Sequence, residues 1–109
     1  MASFNALLHA HQRLCILRAL AGSDGYAANE SLLQGHLEAY GIAGSRDVCK
    51  TQMHWLAEQG LVTLTDRQGL LVATITNRGQ EVAEGRVTVP GVQRPSPDSL
   101  ARALLGGQG

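Results

Sequence analysis

The chain has 109 residues, room for one domain and a short extension, and with 44% hydrophobic but only 4% aromatic residues its core must be small and aliphatic. Nine basic residues balance nine acidic ones, which argues against a broadly basic nucleic-acid surface and makes the placement of charge matter more than its total. No apolar run approaches the ~20 residues of a membrane span, no signal-peptide pattern opens the chain, and two cysteines inside predicted helices fit reduced thiols, so a cytoplasmic protein is expected.

Residues 3–21 read as a first helix, capped by Ser3 and stopped at Gly22. On a helical wheel Phe4, Leu7, Leu8, Leu14 and Cys15 share one stripe, while Ile16, Leu17 and Leu20 lie almost opposite. A helix apolar around most of its circumference is buried on more than one side. One face is therefore assigned to the domain core and the other, through Phe4, Leu7 and Leu8, to a partner subunit in a homodimer or to the C-terminal tail. Ser23-Asp24-Gly25 is a turn, and Tyr26-Ala27-Ala28 a candidate short strand at the edge of the hairpin that follows the third helix.

Asn29 is a good N-cap for a second helix, and Glu30 follows it where the helix dipole favours negative charge. Leu32, Leu33, His36, Leu37 and Tyr40 have amphipathic spacing. Gly41 ends the helix, with Ile42 placed for the apolar contact that accompanies a glycine stop. Ala43-Gly44 then links to a third helix capped by Ser45. Helix, short glycine-containing turn and helix make the sequence form of a helix-turn-helix.

The third helix divides cleanly. Val48, Cys49, Gln52, Met53, Trp55 and Leu56 cluster on one side, the expected core face, and Arg46, Asp47, Lys50, Thr51, His54 and Glu58 on the other. Gly60 permits a sharp exit, and Leu61 to Ile75 alternate around Asp66-Arg67-Gln68-Gly69 as a hairpin. Thr76 caps a short closing helix. The expected core joins Ile16, Leu17, Leu20, Leu37, Val48, Leu56, Leu64 and Val82. Residues 1–88 are read as one domain and 89–109 as a linker with three prolines, followed by a short helical or disordered tail with a glycine-rich end.

Helix, hairpin and helix in that order is the second half of a winged helix-turn-helix. The predicted class is α+β, mainly α, with a two-stranded β-hairpin wing. Residues 12–86 resemble winged-helix regulators of the ArsR and MarR type. The matching pieces are Arg13-Leu14-Cys15-Ile16-Leu17-Arg18-Ala19-Leu20, Leu56-Ala57-Glu58-Gln59-Gly60-Leu61-Val62, and Ile75-Thr76-Asn77-Arg78-Gly79-Gln80-Glu81-Val82-Ala83. The size and element order are also similar to small winged-helix proteins of Mu-like phages and prophages.

The resemblance implies a DNA-binding transcriptional regulator, repressor-like, phage or prophage encoded, acting on double-stranded DNA as a homodimer. It places Arg46, Lys50, Thr51 and His54 at recognition-helix contacts; the cap Ser45 beside them, and Arg67 near the tip of the hairpin, complete the expected DNA-binding set. Two features depart from the usual pattern: Asp47 opens the recognition helix with a negative charge, and a basic surplus is missing. The rival expectation is a winged helix used for protein binding, through the two-faced first helix and the tail.

Other chemistry finds little support. His11 and Cys15 share a face, but two ligands do not make a zinc site, which takes about four. Cys49 on the core face is expected to act as a small hydrophobe. The sequence has no glycine-rich phosphate loop, no Gly-x-Ser-x-Gly and no His-Glu-x-x-His, so neither catalysis nor a cofactor is expected.

Overall fold

The computed structural model describes residues 3–98. Its elements are α1 (Phe4–Ala21), β1 (Ala27–Asn29), α2 (Glu30–Ala39), α3 (Arg46–Glu58), β2 (Val62–Arg67), β3 (Leu70–Ile75) and α4 (Asn77–Ala83). The fold is α+β and mainly helical. Each helix begins where a side chain satisfies an otherwise orphaned amide: Ser3 accepts from Ala6 N, Asn29 from Leu32 N, Ser45 from Val48 N and Thr76 from Gly79 N. The Ile42 amide donates back to Leu37 O at 2.9 Å, and the half-buried Ile42 side chain packs on the core, which closes α2 as its sequence implies.

The expected two-stranded hairpin is part of a three-stranded antiparallel sheet in the order β1-β3-β2. Val62 to Arg67 face Ile75 to Leu70, and Ala27 to Asn29 face Thr74 to Val72. A hairpin alone would leave one side of β3 with unpaired amides and carbonyls; β1 supplies their partners.

The core gathers Leu14, Ile16, Leu17 and Leu20 from α1, Leu33 and Leu37 from α2, and Cys49, Met53 and Leu56 from α3, over Leu61, Val62, Ala73, Ile75 and Val82. Two residues expected in it are only half-buried, Val48 and Leu64. The buried line of α3 runs through Cys49, Gln52, Met53 and Leu56 at i, i+3, i+4 and i+7 and leaves Val48 and Trp55 at its edges. Leu64 lies in the outer strand and packs against the core from its margin.

α4 is held very close to the chain leaving α3. Thr76 N donates to Leu61 O at 3.0 Å and Thr76 Oγ1 to Gly60 O at 2.8 Å. A Cβ at Gly79 would collide with the Leu61 carbonyl and the Ile75 side chain.

Beyond α4 the chain does not leave the domain at residue 88. Val89 and Val92 are buried, and Gln93 N donates to Ala10 O of α1 at 3.1 Å. Residues 87–93 are thus a strap across α1 rather than the start of a linker, because two valines spaced three apart give this proline-containing segment enough apolar surface to stay down. The sequence beyond Asp98, which holds most of the tail expected to be helical or disordered, lies outside the described residues.

Candidate nucleic-acid interface

The side of α3 opposite its buried line is open. Asp47, Thr51, His54 and Glu58 are exposed, as are Ser45 and Arg46 at its start, while Lys50 is half-buried. Arg67 is exposed too, in the last rung of the hairpin opposite Leu70; the turn itself is Gln68-Gly69, both at positive φ. The fold therefore brings Ser45, Arg46, Lys50, Thr51 and His54 onto one helix, with Arg67 on the hairpin that follows it.

The electrostatics of this face differ from the expectation for a free row of cations. Glu30, which the sequence ties only to the α2 dipole, is buried, with its side chain 6% exposed, and Arg46 Nη1 donates to its Oε1 at 3.3 Å. The Leu71 amide donates to Glu30 Oε2 at 2.9 Å. That backbone hydrogen bond, assisted by the Arg46 hydrogen bond and the charges of Lys50 and Arg46, holds the carboxyl below its usual range against the upward push of burial. Both helix cations thus lie in the field of one buried carboxylate that ties α2, α3 and β3 together. Thr51 is also engaged, donating its hydroxyl to Asp47 O at 3.0 Å within α3.

The N-terminal part of α1 forms a second open surface. Phe4 is 78% and Leu7 48% exposed, Leu8 is half-buried, and with His11 they flank a shallow apolar groove floored by Gly41, Ile42 and Ala43. Leu14 and Cys15, on the same stripe, are covered within the chain. At the end of α2, the rings of His36 and the C-cap Tyr40 lie with centroids 4.6 Å apart, tilted by 34°, and burial lowers the His36 pKa. Burial pushes the Cys15 and Cys49 thiols up to about 11, so both stay protonated at neutral pH. No cluster of three or more metal-ligating side chains occurs among the described residues, and no helix among them is long and apolar enough to cross a membrane.

Residues with no functional role in the sequence pattern prove central to how α3 is held. Gln12 and Gln52 are both 1% exposed and bonded to each other at 2.9 Å, and Arg13 joins them. The one signal of this in the sequence is Gln52, a polar residue on the apolar side of α3.

The chain is similar to the uncharacterized protein gp26 of Escherichia phage Mu, with 53% identity over 93 residues that cover 85% of this chain and 96% of that protein. It is also similar to an uncharacterized protein of Haemophilus influenzae, with 46% identity over 77 residues, 70% of this chain and 74% of the other. No family model and no solved structure matches it.

Proposed function

This chain belongs to the family of the phage Mu protein gp26, and from that footing we propose that it is a winged helix-turn-helix protein that binds double-stranded DNA as a repressor-like transcriptional regulator in the cytoplasm of the host. The element order α1-β1-α2-α3-β2-β3 and the strand order β1-β3-β2 support the winged-helix reading. The observation that carries the DNA reading is the uncovered side of α3, opposite Cys49, Gln52, Met53 and Leu56, with an exposed hairpin after it. α3 would enter the major groove, Ser45, Thr51 and His54 would meet base edges or phosphates, and Lys50, Arg46 and Arg67 would hold the backbone. A neutral protomer makes few phosphate contacts, so it binds weakly, and a homodimer through Phe4, Leu7 and Leu8 doubles those contacts and steepens the salt dependence.

The test is titration of a labelled pool of random duplexes at several low salt concentrations, with wild type and Lys50→Ala/Arg67→Ala. Arg46 is left in place because it is hydrogen-bonded directly to Glu30, whereas Lys50 acts on that carboxylate only through its charge and Arg67 not at all. The double variant should bind more weakly across sequences, with a salt slope shallower by about one unit for each deleted cation that had neutralised a phosphate. Equal retention of both proteins, or no retention of wild type, removes the DNA reading. The exposed apolar groove beside Phe4 and Leu7 would then favour a protein-binding module.

A further inference from the structure

The polar side chains between α1 and α3 form one continuous chain. Gln12 Nε2 donates to Ala43 O at 2.6 Å, in the turn that precedes α3. Gln52, in the middle of α3, donates from Nε2 to Gln12 Oε1 at 2.9 Å, and its Oε1 accepts from Arg13 Nε at 2.6 Å. Arg13 Nη1 then donates to Gly91 O of the strap at 3.0 Å, while its Cζ lies 3.8 Å from the centroid of the Trp55 ring. One guanidinium therefore grips α3 at two residues, Gln52 and Trp55, and is itself closed over by the strap.

Gly91 makes that closure possible. Its φ is +96°, and a Cβ there would lie 2.7 Å from Trp55 Cζ2 and 3.1 Å from Arg13 Nη1. Burial lowers the Arg13 pKa, in keeping with a cation that has traded water for an amide oxygen, a peptide carbonyl and an aromatic face.

The apolar contacts of Cys49, Met53 and Leu56 hold α3 down but are non-directional. Hydrogen bonds are directional, and a chain of them, buried at Gln12–Gln52 and partly buried at Arg13–Gln52, is fully satisfied at one setting of the helix only. We propose that Arg13 and the strap at Gly91 are positioning elements for α3, fixing the rotation at which it presents Lys50, Thr51 and His54, so that lifting the strap loosens this face while the rest of the core holds. The inference rests on the DNA reading only for what that face contacts.

Trp55 is the one tryptophan of the chain, so its fluorescence reads strap closure directly. Gly91→Ala should move its emission to longer wavelength. Amide hydrogen exchange should speed up across α3 by roughly tenfold, as loss of one charge-assisted hydrogen bond implies, and stay at the wild-type rate in α2 and β3. Arg13→Gln, which breaks the same link from the other side, should give the same pattern. Unchanged emission and unchanged α3 exchange in both variants would overturn the proposal. Equal acceleration in α2 and β3 would overturn it as well, since the network would then be a general stabiliser. On duplex DNA both variants should bind with broadened sequence preference. If the α3-confined exchange pattern appears and wild type retains no duplex, the positioning role stands and the DNA reading of the face fails.

Discussion

Glu30 shows how one residue can change the meaning of its neighbours. As the first residue of α2 it has an ordinary place near a helix N-terminus, and that much is legible from Asn29-Glu30. Its bonds to the Leu71 amide and to Arg46 span 41 and 16 residues, and no local pattern announces contacts of that range. The same holds for Gln12 and Gln52, which pair across 40 residues. Because the Glu30 carboxyl is held below its ordinary pKa, chiefly by the Leu71 amide, its contribution to stability is fully present above the unfolded value near 4.5 and is lost as pH falls from there through the folded value. Glu30→Gln should flatten that acid limb in pH-dependent denaturation and leave the remaining loss of stability to other carboxyls. An acid limb identical to wild type would show that the Arg46 and Leu71 contacts do not bias the folded state.

At the scale of elements, the local signals are the ones that carry through. The caps at Ser3, Asn29, Ser45 and Thr76 each form their side-chain hydrogen bond, and Cys49, Gln52, Met53 and Leu56 occupy the buried side of α3 as helical spacing implies. The strap is hidden from a sequence reading because prolines at 90, 95 and 97 suggest a linker, whereas Val89 and Val92 dock on a surface that exists only after α1 and α3 have packed. β1 is equally hard to delimit, since three residues gain their strand character from β3. Two substitutions test the element packing. Leu56 is wholly buried, and Leu56→Ala should cost ~2–5 kcal/mol in chemical denaturation; a loss below about 1 kcal/mol would reject the assigned face of α3. Gly79→Ala should cost ~1–3 kcal/mol through forced separation of α4 from the Leu61 carbonyl, and a neutral or stabilising effect would mean that α4 can move away freely.

At the scale of the whole molecule, the N-terminal half of α1 is the surface whose chemistry is hardest to reconcile with a lone protomer. From Ser3 to Gln12 the sequence contains no Asp, Glu, Lys or Arg, and Phe4 and Leu7 stand exposed beside the groove floored by Gly41, Ile42 and Ala43. Free of Asp, Glu, Lys and Arg, largely apolar and adjacent to a shallow recess, this patch has the depletion of charged residues that marks the centre of an interface. The two-fold arrangement expected for a homodimer brings the same residues of both copies together, so a charge placed there would face its own image. Leu7→Glu should therefore abolish self-association in analytical ultracentrifugation while leaving circular dichroism and thermal unfolding at low concentration unchanged, because Leu7 lies outside the core. If the dimer also sets DNA affinity, the same variant should bind duplex with a shallower salt slope, since a monomer offers half the phosphate contacts of a pair. Wild type sedimenting as a monomer up to high micromolar concentration would count decisively against this interface, and the exposed groove would then belong to a different protein partner.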